Sequence, residues 1–253
     1  MLFRVIIRAR NAEHLIGKTL RSLAAQTCDK WVAHVALDAP KDRTMTAVDN
    51  FRANARLPVG KVSISVSDKN LGVAAQIHRA PWLFKQHCDT SYECIPFGDE
   101  DILVFLDGDG DKLDKKALRI VERAYQKNPD CLLTYGSYEK KSVGRRTRIS
   151  HAYPDGANVR KHPWRASHLK TMKWKLFRQI TEDCFKHKGA WLPACSDLAL
   201  MIPAIEIAGL DRCVHIHRLI YYYRDVKNKK KRIVEKRCEK IIRAKKPLKR
   251  RVL

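Results

Sequence analysis

Residues 102–111 read ILVFLDGDGD. A short apolar run ends in three aspartates spaced by glycines, in a chain with 51 Lys+Arg and only 27 Asp+Glu. An apolar run of this length bounded by turn formers predicts a buried strand ending at Asp107. Working outward, FRVIIRA (3–9), WVAHVALD (31–38) and KVSISVS (61–67) also predict strands. Between them, residues 12–26, 44–56 and 73–87 predict helices. The first places Leu15, Ile16, Leu20 and Leu23 on one face, with Asn11 as its N-cap. Beyond the acidic loop come a helix over 115–126 and a strand over 131–138. Alternating strands and helices predict an α/β fold with a mostly parallel, doubly wound, Rossmann-like sheet. Such sheets bind ligands at the carboxyl ends of their strands. Asp38, Asp107 and Asp109 fall there.

The chain has 253 residues, 45% of them hydrophobic, enough for a sizeable core. No apolar run approaches a membrane span, and MLFRVIIRAR reads as a first strand, not a signal peptide. Eight cysteines show no C-x-x-C and no zinc-finger spacing, so they read as reduced thiols in a reducing compartment. The expected location is the cytoplasm, or the host cytoplasm if the source is viral. The net charge of +24 is uneven. Residues 139–178 carry 12 Lys+Arg against 2 acids, and residues 227–253 carry 14 against 2. Two segments thus hold 22 of the 24 charges, which suggests a polyanionic partner.

After residue 138 the pattern changes. Residues 139–166 are basic and rich in turn formers. Residues 167–184 predict a basic amphipathic helix. Residues 196–210 predict a helix that starts near Ser196 or Asp197, ends near Gly209, and is kinked or split at Pro203. VHIHRLIYYYR (214–224) alternates as a strand. From Lys227 the chain is helix-compatible in parts and otherwise reads as a solvated, partly disordered basic tail. The expected organisation is a domain over 1–226, with halves at 1–138 and 139–226, and a tail over 227–253.

Three chemistries could use the acidic loop. A Ca²⁺ loop starting at Asp107 needs Gly at its sixth position and Glu at its twelfth, and those are Lys112 and Leu118. A phosphatase nucleophile loop normally follows the first strand and needs Thr or Val where Asp111 stands. The third is a D-x-D clamp, in which a carboxylate binds a divalent cation that bridges two phosphates.

The wider pattern favours the clamp. Asn11, Glu13, Ser22, Leu23, Gln26, Thr27, Trp31, Asp38, Asp42 and Thr44 stand in order through residues 10–44, followed by Asn70-Leu71-Gly72, FLDGDG (105–110) and SDLALMIPAIEIAG (196–209). Together they resemble the family 2 glycosyltransferases of the GT-A fold, over roughly residues 3–210. Two features depart from that family: Leu37 and Asp38 stand where it has paired aspartates, and Ile77-His78-Arg79 replaces its usual Arg-Asn.

The resemblance implies a donor site for a UDP-sugar formed by Ala9, Asn11, Glu13, Asp38, Asn70, Gly72, Asp107, Gly108 and Asp109, with Asp38 on the nucleotide base. Asp107 and Asp109 would hold Mn²⁺ or Mg²⁺. Asp197 would be the general base of an inverting transfer, taking the acceptor hydroxyl's proton. Each of these has a plainer reading: turn chemistry for the strand-end aspartates, and a helix N-cap for Asp197. Glu206 reads as structural. A late histidine, His217 or its same-face neighbour His215, or more weakly His162, would complete the metal site. For each, an ordinary strand histidine is the competing reading.

The segment 144–178 interleaves cations with Tyr153, Trp164, Trp174 and Phe177. With the basic tail, it looks similar to phage and kinetoplastid transferases that glycosylate hydroxymethylated pyrimidines in DNA. That implies movement of a hexose such as glucose onto a flipped base. Arg145, Arg146, Arg148, Arg160, Lys161, Arg165, Lys170, Lys173 and Arg178 would contact phosphates, and Trp164 would stack. The alternative acceptor is a glycan, a lipid-linked sugar or a protein. A reading of another class is a non-catalytic nucleic-acid-binding protein. Oligomeric state is left open.

Overall fold

In a computed structural model, the chain is described over residues 1–90, 95–140, 146–224 and 229–253, with backbone only at 89, 90, 146–148 and 229–231. The expected alternation is present: β1 (Phe3–Ala9), α1 (Ile16–Ala24), β2 (Trp31–Asp38), α2 (Thr44–Asn54), β3 (Val62–Ser67), α3 (Val73–Thr90) and β4 (Ile102–Asp107). There follow β5 (Lys112–Leu113), α4 (Ala117–Lys127), β6 (Leu133–Lys140) and β7 (Arg146–Arg148). The remaining elements are β8 (Ser167–Lys173), α5 (Trp174–Phe177), β9 (Lys186–His187), β10 (Ala190–Trp191), α6 (Ser196–Ala208), β11 (Cys213–Tyr223) and α7 (Lys229–Ala244).

The main sheet runs β3-β2-β1-β4-β8-β6-β11-β5, with β7 on β6. Pairs β3–β2, β2–β1, β1–β4 and β6–β11 are parallel, while β8 lies antiparallel between β4 and β6. One apolar layer joins β1 to α1, α2 and α4 through Val5, Ile7, Ile16, Leu20, Val48 and Leu118. The other joins the sheet to α3, α5, α6 and α7 through Ile77, Phe84, Phe177, Leu200 and Ile242. Helices on both faces explain why β1 and β2 are buried along almost their whole length, with no alternation of buried and exposed residues. Each fully buried large side chain contributes roughly 1.5–3 kcal/mol.

Four expectations are corrected. Residues 167–184 form no long helix; β8 fills the gap between β4 and β6. Its cations misled the pattern, because Lys170 and Lys173 are buried against acids instead of solvated. Helix α6 runs unbroken through Pro203. Its left-handed start is Cys195, at φ 58°, and Gly209 (φ 83°) ends it as expected. The basic tail folds in large part: α7 buries Cys238 and Ile242 against the domain. Arg243 ties it down by donating to the carbonyls of Arg160 and His162 at 2.7 and 3.0 Å. Finally, the cysteines are not all reduced. Six are free, Cys88 is disulfide-bonded, and Cys94 lies outside the described residues. Among the described residues, no helix is long and apolar enough to cross a membrane.

Candidate active site

The carboxyl ends of β1, β2 and β4 open onto a cavity of about 600 Å³. Arg8, Ala9, Asp38, Asp107 and Asp109 line it from the strand ends, and His168 of β8 and Ser196 and Asp197 of α6 line it as well. A second depression of similar volume lies under the C-terminal segment around Asp155, Glu206 and Arg250, away from the strand ends.

Asp107 ends β4 beside Arg8, its register partner on β1, and the two side chains are ion-paired. Gly108 must be glycine: a Cβ there would lie 2.7 Å from Ile16 Cδ1 and 2.9 Å from the Arg8 carbonyl oxygen. That close approach sets Asp109 at the cavity, where burial and then the neighbouring Asp107 charge raise its carboxyl pKa. Such a carboxylate gains from a nearby cation. Asp111 has another task. Fully buried, it accepts from the Tyr221 hydroxyl at 2.5 Å and the Arg224 amide at 2.7 Å, tying the acidic loop to the end of β11. Burial, with Asp107 nearby, pushes it up to about 8.

Asp38 is buried at the cavity edge. It accepts from the amides of Leu71 and Gly72 at 2.7 and 3.0 Å, so it braces the Asn70-Leu71-Gly72 turn, in which Gly72 has φ 80°. Asn70 is exposed. Asn11 (φ 48°) and Glu13 accept from the amides of Lys41 and Arg43, joining the loops after β1 and β2. Asn11 is not the cap of α1, which begins at Ile16.

Asp197, on the first turn of α6, meets two groups from β8. Lys170 Nζ lies 2.8 Å from Asp197 Oδ1, and His168 Nε2 lies 3.8 Å from Oδ2. Lys170 is itself 1% exposed and also lies 3.0 Å from His168 Nδ1. Burial alone would raise the Asp197 pKa. The Lys170 charge, and after it that of Arg8, outweighs it and holds Asp197 well below the usual carboxylate range. His168 stacks on Tyr221 at 4.4 Å, and burial followed by Lys170 lowers its pKa to about 4, so it is neutral.

The histidines expected to complete a metal site stand away from the strand-end carboxylates. His217 is exposed and His215 buried, the pair edge to face at 4.6 Å, and neither lines the cavity. His162 packs on Tyr153. Among the described residues, no three His, Cys, Asp or Glu side chains group as a metal site. Two carboxylates at a cavity of this size still suit Mg²⁺ or Mn²⁺, which take one or two carboxylates and complete their shells with substrate phosphates and water.

The expected phosphate-contacting surface does not form as drawn. Arg160 is buried in an ion pair with Glu206, Lys170 with Asp197, and Lys173 with Glu100. Three of the cations thus serve the interior, and Glu206 is structural as expected. Arg178 pairs with Asp99 at 3.0 Å, Arg165 is half-buried with its guanidinium on the Ala152 carbonyl, and Lys161 is exposed. Arg145 and the side chains of Arg146 and Arg148 lie outside the described residues. Trp164 lines the cavity, joined by Tyr138, Tyr223 and, from α7, Glu235 and Glu239.

Sequence reasoning missed Arg8, His168 and the two α7 glutamates. An arginine inside the apolar run FRVIIRA was the one available signal, because a charge in a doubly covered strand needs a buried partner.

No protein-family profile and no curated protein sequence matches the chain. Solved structures do. With residues 1–349 of TarS from S. aureus, in complex with UDP, the chain shares 20% identity at a TM-score of 0.61, covering 96% of this chain and 65% of that one. With mannosyltransferase PcManGT from Pyrobaculum calidifontis, in complex with GDP-Man and Mn²⁺, the values are 18%, 0.63, 97% and 65%. With glucosyl-3-phosphoglycerate synthase from Mycobacterium tuberculosis they are 13%, 0.56, 96% and 79%. The chain thus spans just under two thirds of the first two. The topology, the strand-end carboxylates and these likenesses agree: the chain has the GT-A glycosyltransferase fold.

Proposed function

We propose that the chain is a glycosyltransferase moving a hexose from a nucleoside-diphosphate sugar, such as a UDP-sugar, to an acceptor hydroxyl with inversion. The observation that carries this reading is that Asp107, Asp109 and Asp197 all line one cavity at the strand ends. Asp107 and Asp109 would hold the divalent cation, which when bound offsets charge on the departing diphosphate. Asp197 would take the acceptor proton. Paired to Lys170, it is a weak base, so it suits a proton lost late, after the attacking oxygen has begun to bond and has become acidic. Lys170 and His168 fix its orientation, and Tyr138 and Tyr223 narrow the space open to water.

The acceptor that fits best is a carbohydrate-bearing one: a glycan, a lipid-linked sugar or a glycosylated protein. Trp164 offers an apolar face for a sugar ring, and Glu235 and Glu239 offer acceptors for its hydroxyls. A duplex phosphate backbone would meet these carboxylates unfavourably. It would also lack Arg160, Lys170 and Lys173, which are spent on internal pairs. The test incubates the protein with Mn²⁺, a panel of UDP- and GDP-sugars and arrays of glycan acceptors, with hydroxymethylpyrimidine duplex DNA in parallel. Hexose transfer to a glycan, lost in Asp109→Ala and Asp197→Ala, is the expected result. Transfer to the DNA alone would restore the polyanionic acceptor, and no turnover of any donor would sink the transferase reading.

A further inference from the structure

Arg8 has an unusual position for a cation. It ends β1 inside the sheet, with a side chain only 10% exposed, and it lines the cavity. Its guanidinium touches three elements at once. One nitrogen pairs with Asp107 Oδ1. The other lies 3.2 Å from the Val73 carbonyl oxygen, at the start of α3, and 3.4 Å from Ser196 Oγ, at the start of α6. The Nε donor is buried with no partner among the described residues. A largely buried guanidinium that lines a cavity, with one donor unpaired, is suited to turn towards an anion that enters there.

The same contact sets up a competition. Asp107 is the carboxylate expected to bind the divalent cation, and Arg8 already occupies it. Two carboxylates and one guanidinium leave the site one negative charge, against two without Arg8. The free site therefore attracts a bare cation weakly. A cation arriving with a diphosphate offers Arg8 a new anionic partner as it takes the old one.

Resting on the transferase reading above, we propose that Arg8 is the resident counter-ion of the acidic loop and the diphosphate anchor of the donor. It holds Asp107 while no nucleotide is present and turns to the diphosphate when a nucleotide arrives, which frees Asp107 for the divalent cation. Two properties follow with opposite signs. Arg8 opposes binding of the metal alone, and it supports binding of the nucleotide without metal. An ordinary structural arginine would do neither.

The experiment is isothermal titration of the full chain, with folding of each variant checked by circular dichroism. Wild-type protein in EDTA should bind UDP or GDP at least tenfold tighter than the matching nucleoside. Arg8→Gln should abolish that difference, and it should bind Mn²⁺ alone at least tenfold tighter than wild type. Arg8→Lys, which keeps the charge without the fork, should fall between. Wild-type UDP and GDP binding no tighter than the nucleosides in EDTA overturns the proposal and needs no variant. So does Mn²⁺ affinity unchanged in a folded Arg8→Gln. In both cases, nucleotide binding with Mn²⁺ present would leave the transferase reading standing. Failure of UDP and GDP to bind even with Mn²⁺ would remove both.

Discussion

Replacing Lys170 by methionine tests the link between fold and chemistry most directly. The two side chains are close in volume, so the change removes charge and little packing. Lys170 is 1% exposed, and its partner Asp197 keeps 32% side-chain exposure at an ion-pair distance of 2.8 Å. Breaking a fully buried pair by removing one partner costs roughly 3–5 kcal/mol. Here the carboxylate left behind retains some water, with Arg8 and His168 nearby, so the expected loss is about 2–3 kcal/mol. For a chain of this size that corresponds to roughly 5–10 °C in Tm. The loss should depend on pH with a definite sign. Lys170 depresses the folded-state pKa of Asp197 below the ordinary 3.8. The unfolded chain therefore takes up that proton first as pH falls. Stability from the pair is complete above about pH 4 and is lost below it, as pH falls through the folded pKa. Urea denaturation of wild type and Lys170→Met from pH 7 to pH 3 should show curves that differ at neutral pH and draw closer below about pH 4. Asp197→Asn combined with Lys170→Met should recover about 2 kcal/mol relative to additivity. Equal stabilities at pH 7, or a difference that ignores pH, would refute the reasoning.

Three further outcomes are expected. Gly108→Ala should cost more than about 2 kcal/mol in chemical denaturation and weaken nucleotide binding, because its Cβ meets backbone that cannot yield. Asp111→Ala should cost about 1–3 kcal/mol by stranding the buried Tyr221 hydroxyl; recovery in Asp111→Ala with Tyr221→Phe, measured by thermal melts, would confirm the cause. Arg160→Met should leave Glu206 unpaired and loosen α7, seen as faster proteolysis after residue 228, while affinity for duplex DNA stays unchanged.

Much of the donor half was legible before any coordinates. Its signals are local: apolar runs of strand length, amphipathic helices between them, and aspartates where strands end. Backbone geometry turns such patterns into a parallel sheet with a ligand edge, so Asp107, Gly108 and Asp109 fell into place together. The acceptor half resisted because its decisive contacts are remote in sequence. Lys170 and Lys173 look like surface cations until β8 is inserted between β4 and β6 and their partners, Asp197 and Glu100, arrive from elsewhere. The same reason undid the free tail, since two buried residues and a set of arginine-to-carbonyl bonds hold α7 to the domain.

By itself, then, the sequence determined the parallel strands of the donor half and the aspartates at their carboxyl ends. Each of these depends on neighbours a few residues apart. Only the tertiary structure decided which charges face solvent. Burial makes an ion pair obligatory but the local pattern does not name the partner, and so only the fold set Arg8 at Asp107 and Lys170 behind Asp197.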